Sequence, residues 1–574
     1  MANSNSEPQA KLQLFLQWLQ ANGGDLRGCS IKYCGPNKGF GIFSNEKTPG
    51  DDIVMVVPLD LAITPMRVLQ DPLVGPRCRA LFEEGDVDDR FLVMIFLMVE
   101  RLRPDSSWKP YLDMLPCSFG NPLWFTESEL AELKGTTLYR ASMLQSKKLE
   151  ALYEDKVKGL VEELLHSDGE LKSVRNVQFE DFLWANSIFW TRALNIPFPH
   201  SYVFPEPLEK QSNGSAHHSS DSDASASQEI VETFEHENDS KTEAVAKDMK
   251  NNGNGDETSR TKNADTIWIE GLVPGIDFCN HSVKALATWE VDPTGCITGV
   301  STSMYLILAE KSTAEAEKEI SISYGNKGNE ELLYLYGFCI DNNPDDFLMV
   351  HYPVEAFSKL PCSDTKSKLL EIQNAELRCL LPKSLLDHGF FAARQLHGEG
   401  SEKNSSFQVH NYSWSGQRKV PSYVNRLVFP QEFLTALRTI ALHEDELNQV
   451  SALLEKLVES DDVREPTDKE VEAAIWEVSG DYGALQLLVD LLSMKMMELE
   501  EGSGTQESDA QLLSNSHVLE FEDQFSKRSE RSEENWMTRN KWSSIVYRRG
   551  QKQLTSSFLK EAEHALELCI NEQR

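Results

Sequence analysis

Apolar residues recur at helical spacing over residues 10–21, where Leu12, Phe15, Leu16, Trp18 and Leu19 share a face and Gly23-Gly24 supplies a stop. SIKYCGPNKGFGIFS (30–44) then reads as a strand, a Pro-Asn-Lys-Gly turn and the entry to a second strand. IVMVVPLDLAIT (53–64) is apolar and β-branched, which predicts a core strand closed by Pro65. DDRFLVMIFLMVERLR (88–103) is apolar nearly all round, so the helix it predicts is buried on every side. Thr126 and Glu129 have the spacing of a capping box for a short helix, and helices over about 138–166 and 178–192 complete a helical block.

Beyond a polar stretch the pattern returns to strands, over 267–277, 286–292, 297–309 and 319–324. After about residue 345 it changes again, to long amphipathic helices near 365–382, 430–459, 467–500 and 534–568. The expected class is therefore α+β: an irregular β-rich domain over 1–345 with a helical insertion at about 80–200, followed by an all-α domain over 346–574.

The polar stretch, residues 205–265, carries 14 acidic and 6 basic residues and few large apolar ones. It cannot bury enough surface to offset the entropy of ordering, so it is expected to be a disordered acidic insert. His217-His218 within it reads as part of a solvated segment rather than a metal site.

Composition narrows the partners. The 574 residues hold 91 Asp and Glu against 56 Lys and Arg, a formal charge of -35. That balance opposes direct nucleic acid binding and weakly favours cationic partners such as Lys-rich protein segments. No run of about 18 apolar residues occurs, so no membrane span is expected. The ten cysteines include no CxxC pair and no His/Cys cluster, which predicts free thiols and no metal site. MANSNSEPQAKLQLF lacks the marks of a signal or transit peptide, so a cytoplasmic or nuclear protein, working as a monomer, is the expectation.

Two short polar words stand in apolar surroundings, Asn280-His281-Ser282 after Ile276, Phe278 and Cys279, and Tyr324-Gly325-Asn326. Buried polar groups must find partners, so these either bond the backbone as ordinary turns or bond a ligand. Lys38-Gly39-Phe40-Gly41-Ile42-Phe43 lacks the third glycine of a dinucleotide fingerprint and reads either as a hairpin glycine pair or as a close backbone approach to a small ligand.

Together these segments resemble a known family. KGFGIF, WTRALNIP (190–197), IDFCNHS (276–282) and ISYGNKGNEELLYLYGF (322–338) stand in the order and spacing of SET-domain methyltransferases. SSWKPYLDMLP, PLWFTESELAELKGT and the C-terminal VYRRGQKQLTSSFLKEA further resemble the branch of the Rubisco large-subunit lysine methyltransferase, whose helical C-terminal domain binds substrate. The resemblance implies a SET fold with a pseudoknot, in which the Asn-His segment crosses the segment after Tyr324. It implies S-adenosylmethionine as cofactor, held by Lys38, Gly39, Phe40, Asn280, His281 and Arg192. It implies a substrate channel lined by Arg192, Asp277, Trp289, Tyr324 and Tyr336, with Tyr324 at the methyl-transfer centre.

Methyl transfer from a sulfonium to an amine asks the protein mainly to align two reactants and exclude water. A lysine acceptor must also be neutral, which from a reference pKa near 10.4 costs about 4–5 kcal/mol at pH 7. A narrow apolar channel supplies part of that by desolvation. Tyr324, with a reference pKa near 10, suits orientation of the amine better than proton abstraction.

Two positions depart from the branch. Trp289 stands nearest the place of a tyrosine, and Ile196 replaces a second arginine. Neither flank carries the cysteine clusters of many histone-directed members. The resemblance implies transfer to a lysine of a non-histone protein, with a histidine acceptor, or a non-catalytic interaction protein keeping the fold, as the competing readings.

Overall fold

The computed structural model describes residues 6–35, 38–85, 87–167, 176–203, 266–392, 421–458, 465–519 and 536–573. The insert expected to be disordered, 205–265, lies outside the described residues. The chain divides into two compact units, Met1–Leu194 with Glu270–Arg574, and Asn195–Ile269. Within the smaller, the rings of Phe198 and Tyr202 stack at 5.0 Å.

In the larger unit a four-stranded antiparallel sheet runs Asp25–Leu26, Ile53–Pro58, Ser303–Leu308, Ala287–Asp292. A second, three-stranded sheet runs Glu319–Ile320, Phe40–Ser44, Cys29–Tyr33. The expected strand over 53–64 stops at Pro58, which has no N–H to give a ladder, and continues as a single 3-10 turn, Leu59–Leu61. The helix expected at 88–103 spans Asp89–Leu102, is capped by the Asp88 carboxylate on Phe91 N, and buries every residue from Phe91 to Glu100. The Thr126–Glu129 capping box forms as expected. The helix expected over 138–166 forms with a π-turn at Tyr153–Val157 in its middle.

Three expected strands are shorter than their patterns. Residues 297–302 are not strand but loop, because the Asp292 carboxylate accepts from the N–H groups of Gly295, Ile297 and Thr298 at 2.9, 2.9 and 2.8 Å. The expected strand over 267–277 ends at Gly271, with one isolated bridge from Leu272 to Ile63, and the chain then turns at Gly275, φ +98°, into the 3-10 turn Ile276–Phe278. Only Glu319–Ile320 of the last is ladder; Ile322 instead bridges His281 in parallel.

The C-terminal region is helical in the main, built on Gln431–Ala441, Tyr482–Glu500 and the 35-residue Arg539–Gln573. Its core gathers Leu348, Leu381, Phe433, Leu437, Leu488, Leu492, Phe558 and Ala562. The helix expected at 365–382 ends at Ile372; Arg378–Pro382 is a strand paired with Phe347–His351. Asn374, at φ +48°, breaks the helix, and the alternating burial of Cys379 and Leu381 seats the strand on the core.

Contacts cross the boundary expected at 345/346. Tyr547 donates to Glu330 at 2.6 Å, Thr538 to Glu129 at 2.6 Å, and the Arg548 guanidinium reaches Asp509 and Glu132. The C-terminal helix therefore braces the segment Asn329–Phe338, which carries Tyr336.

Candidate active site

The site starts from the parallel meeting of the two polar words. Ser282 N donates to Ile322 O at 3.0 Å and Ile322 N to Asn280 O at 3.0 Å. The two segments thus lie side by side, the juxtaposition that the expected crossing requires. Two residues beyond Ile322, Tyr324 N donates to His281 Nδ1 at 3.1 Å, and the Tyr324 hydroxyl donates to Cys279 O at 2.9 Å. Tyr324 is therefore held at both ends by the Asn-His segment.

An aromatic cluster closes round it. The Tyr324 ring lies 4.6 Å from that of Tyr336 and 5.1 Å from that of His281, and His281 lies 6.1 Å from Phe338. Burial pushes the Tyr324 hydroxyl well above the usual tyrosine value, against the opposing charge of Arg192. Burial also raises Tyr336, to about 12. Both hydroxyls stay protonated through neutral pH. His281 is shifted down by burial, with Asp345 opposing, which fits an imidazole whose Nδ1 must keep its lone pair to accept from Tyr324.

Arg192 and Asp277 form the wall behind. Arg192 Nη1 donates to Asp277 O at 2.9 Å, and its guanidinium lies 5.4 Å from the Phe278 ring centre. The Asp277 carboxylate has no exposed surface. It accepts from the Tyr111 hydroxyl at 2.6 Å and from Gly275 N at 3.0 Å. Its side chain fastens neighbours rather than facing an opening.

The KGFGIF hairpin joins through side chains. Asn280 Nδ2 donates to Glu319 Oε1 at 2.7 Å and to Phe40 O at 3.3 Å, and Glu319 also pairs with Lys38. A Cβ on Gly41 would fall 2.8 Å from Glu319 Oε1 and 3.0 Å from Asn280 Nδ2, so the backbone lies close against that pair. Gly39 takes φ +70° and faces open space where a Cβ would stand. The structure thus brings together Lys38, Gly39, Phe40, Arg192, Asp277, Asn280, His281, Tyr324 and Tyr336. Trp289 stands on the edge strand Ala287–Asp292, opposite Leu306.

Three contributors escaped the reading of motifs. Tyr111 sits inside KPYLDMLP with no local pattern to mark its hydroxyl. Glu319 looks like one acid in a charged run, and the Cys279 carbonyl is backbone, which no residue type announces.

Solved structures share this architecture. The SET domain of LSMT bound to lysine and AdoHcy superposes with a TM-score of 0.59 over 98% of this chain and 92% of its own, at 16% identity. This chain has the LSMT-type SET fold. Rubisco LSMT bound to AdoMet gives a TM-score of 0.53 at 17% identity, over 97% and 93% of the two chains.

Curated relatives match over parts of the chain. The chloroplastic [fructose-bisphosphate aldolase]-lysine N-methyltransferase of Arabidopsis thaliana is 31% identical over 193 residues, 33% of this chain and 37% of its own. The chloroplastic Rubisco large subunit N-methyltransferase of Pisum sativum is 28% identical over 199 residues, 34% and 38% of the two. The actin-histidine N-methyltransferase of Homo sapiens is 26% identical over 351 residues, 60% and 45%. The chain thus spans well under two thirds of the length of these relatives. No family model matches it.

Proposed function

We propose that this protein is an S-adenosylmethionine-dependent protein methyltransferase that modifies a lysine side chain of a non-histone protein. The observation that carries the reading is the double anchoring of Tyr324, by hydroxyl to Cys279 O and by backbone to His281 Nδ1. It sets one phenol and one carbonyl together at an aromatic wall, an arrangement suited to orienting an acceptor amine.

The residues fit the cofactor. Open space beside Gly39, where a Cβ would meet nothing within 4 Å, leaves room for a ligand to approach main-chain groups. The Asn280 amide is already engaged with Glu319 and Phe40, so this segment offers its backbone rather than its side chain. Lys38 to Phe40, Asn280, His281 and Arg192 would hold S-adenosylmethionine, which supplies an electrophilic methyl group when bound. Tyr324 and the Cys279 carbonyl would orient the acceptor, while Tyr336, Phe338 and His281 exclude water. Asp277 would position Arg192. Trp289, on the edge strand opposite Leu306, is not among the residues brought together round Tyr324, so the channel role expected for it is not part of this reading.

A histidine acceptor is the second reading, favoured by the 351-residue extent of the match to the actin-histidine enzyme against 193 for the aldolase-lysine enzyme. Imidazole needs no ammonium deprotonation near pH 7, so a nearly flat rate from pH 7 to 9 marks histidine. A rate rising with pH marks lysine. The deciding experiment is calorimetry of S-adenosylmethionine binding, followed by labelling of a cell extract and mass-spectrometric mapping of the modified residue. Failure to bind the cofactor removes the reading.

A further inference from the structure

We propose that the buried Tyr111–Asp277 pair is a positioning device that holds Arg192 toward the Tyr324 hydroxyl, which makes Tyr111 a positioning residue of the site. The inference rests on the methyl-transfer reading above, and it reaches a residue to which the sequence assigned no role in the site.

Tyr111 lies on the short helix Lys109–Leu112 and has no exposed surface. Its ring packs 6.3 Å from Phe15 and 6.4 Å from Phe278, so the core fixes where its hydroxyl points. That hydroxyl meets Asp277 Oδ2 at 2.6 Å, while Gly275 N holds Oδ1 at 3.0 Å. With both oxygens engaged, the carboxylate cannot rotate. It presents Oδ2 to Arg192 Nη1 at 3.6 Å, and the carbonyl of the same residue accepts from Nη1 at 2.9 Å. Arg192 is thus fastened to one residue twice, over the face of Phe278.

The far end of the chain reaches the reaction centre. Arg192 Nη1 donates to the carbonyl of Asp277 and the Tyr324 hydroxyl to that of Cys279, two residues further along the same segment, so guanidinium and phenol are held on one stretch of backbone, and the positive charge of Arg192 opposes the upward push on the phenol. The order is Tyr111, Asp277, Arg192, Tyr324. A buried tyrosine that merely satisfied its own hydroxyl would need only one acceptor; here the acceptor is the carboxylate that faces the site arginine.

The arrangement has a sign in pH. The groups facing Asp277 are Tyr111 from its short helix, Arg192 from Phe179–Arg192, and Cys279 and Tyr324 from the two crossing segments. Burial raises the Asp277 pKa, and first Arg192, then Tyr111, hold it down. Loss of the Tyr111 hydroxyl lets it rise further. An Asp277 that protonates loses its attraction for Arg192.

The test uses the full chain as wild type, Tyr111→Phe and Asp277→Asn. Tyr111→Phe is expected to lower label transfer to extract protein about tenfold, one hydrogen bond of roughly 1.4 kcal/mol, and to weaken calorimetric S-adenosylmethionine affinity by less than that, because Arg192 is one of six residues that would hold the cofactor. The part of the acid limb that Asp277 contributes is expected to move to higher pH in Tyr111→Phe and to be missing from Asp277→Asn, which keeps only the pH dependence of the acceptor itself. Without any acceptor, thermal denaturation between pH 5 and 8 is a second readout: the stability gap between wild type and Tyr111→Phe widens as pH rises and is constant with pH in the Asp277→Asn background. A gap independent of pH in both backgrounds, or an unmoved acid limb, overturns the proposal. If wild type neither binds cofactor nor transfers label, the methyl-transfer reading fails instead, and the thermal arm still decides whether Tyr111 controls Asp277.

Discussion

The backbone N–H of Tyr324 donates to Nδ1 of His281 at 3.1 Å, so the histidine serves as an acceptor and not as a base or a ligand. The tautomer follows: Nδ1 carries the lone pair, and the proton of neutral imidazole sits on Nε2. This one bond couples the protonation of His281 to the placement of Tyr324.

Acidification should therefore weaken the protein through His281. Burial lowers its folded pKa below the ordinary 6.5, while the unfolded chain titrates at the ordinary value. The unfolded state then takes up the proton first, so the stability contribution is full above pH 6.5 and is lost as pH falls from 6.5 through the folded value. Urea denaturation at pH 8 and pH 5.5 checks it: His281→Asn should show a smaller drop between the two than wild type. An equal drop removes His281 from the account.

Removing the Tyr324 hydroxyl separates binding from chemistry. Tyr324→Phe loses its bond to Cys279 O but keeps the backbone bond to His281 and the tilted ring contact with Tyr336. Cofactor affinity by calorimetry should stay close to wild type, with transfer reduced by about tenfold or more, since each 1.36 kcal/mol of barrier is tenfold in rate. Full activity would dismiss Tyr324 as the orienting group.

Much of this was legible in the order of residues. The pattern of Leu12 to Leu19 marked the first helix, and the apolar run from Phe91 to Val99 marked a buried one, because periodicity and burial are local facts. The polar words at Asn280 and Tyr324 were visible for the same reason. What was not legible depends on chain segments meeting from afar. Asp292 turns 297–302 into a loop through bonds to successive amides, and Arg378–Pro382 becomes a strand because Phe347–His351 offers it an edge. The role of Tyr111 needed Asp277, which is 166 residues away along the chain.

The backbone crossing beside Tyr336 should tolerate no side chain. A Cβ on Gly337 would lie 2.6 Å from Gly120 C and 2.7 Å from Asn121 N, and Gly337 takes φ +77° as well. Gly337→Ala then carries both overpacking and a left-handed penalty, together about 2–4 kcal/mol. The shift falls on the residue next to Tyr336, so transfer activity should decline more than cofactor affinity. Circular-dichroism melting and calorimetry on the same variant check both halves.

Lys552 ties the C-terminal helix to a buried carboxylate. Its ammonium has no exposed surface and uses all three donors, to Asp509 Oδ2 at 2.7 Å, Ser503 Oγ at 2.9 Å and Gly504 O at 2.6 Å. Arg548 holds the other Asp509 oxygen at 2.6 Å. Lys552→Met would leave a buried carboxylate with one cation in place of two, and would strip the Gly504 carbonyl and the Ser503 hydroxyl of their donor. Breaking one side of a buried pair costs about 3–5 kcal/mol, and the remaining arginine places this case near the lower end. Lys541 is the control: it pairs with Glu132 at 2.8 Å with its side chain 43% exposed, where solvent screening limits the pair to less than about 1 kcal/mol. Urea denaturation of Lys552→Met and Lys541→Met should therefore differ severalfold in lost stability, and equal losses would show that burial of the Asp509 cluster does not govern how firmly this helix is held.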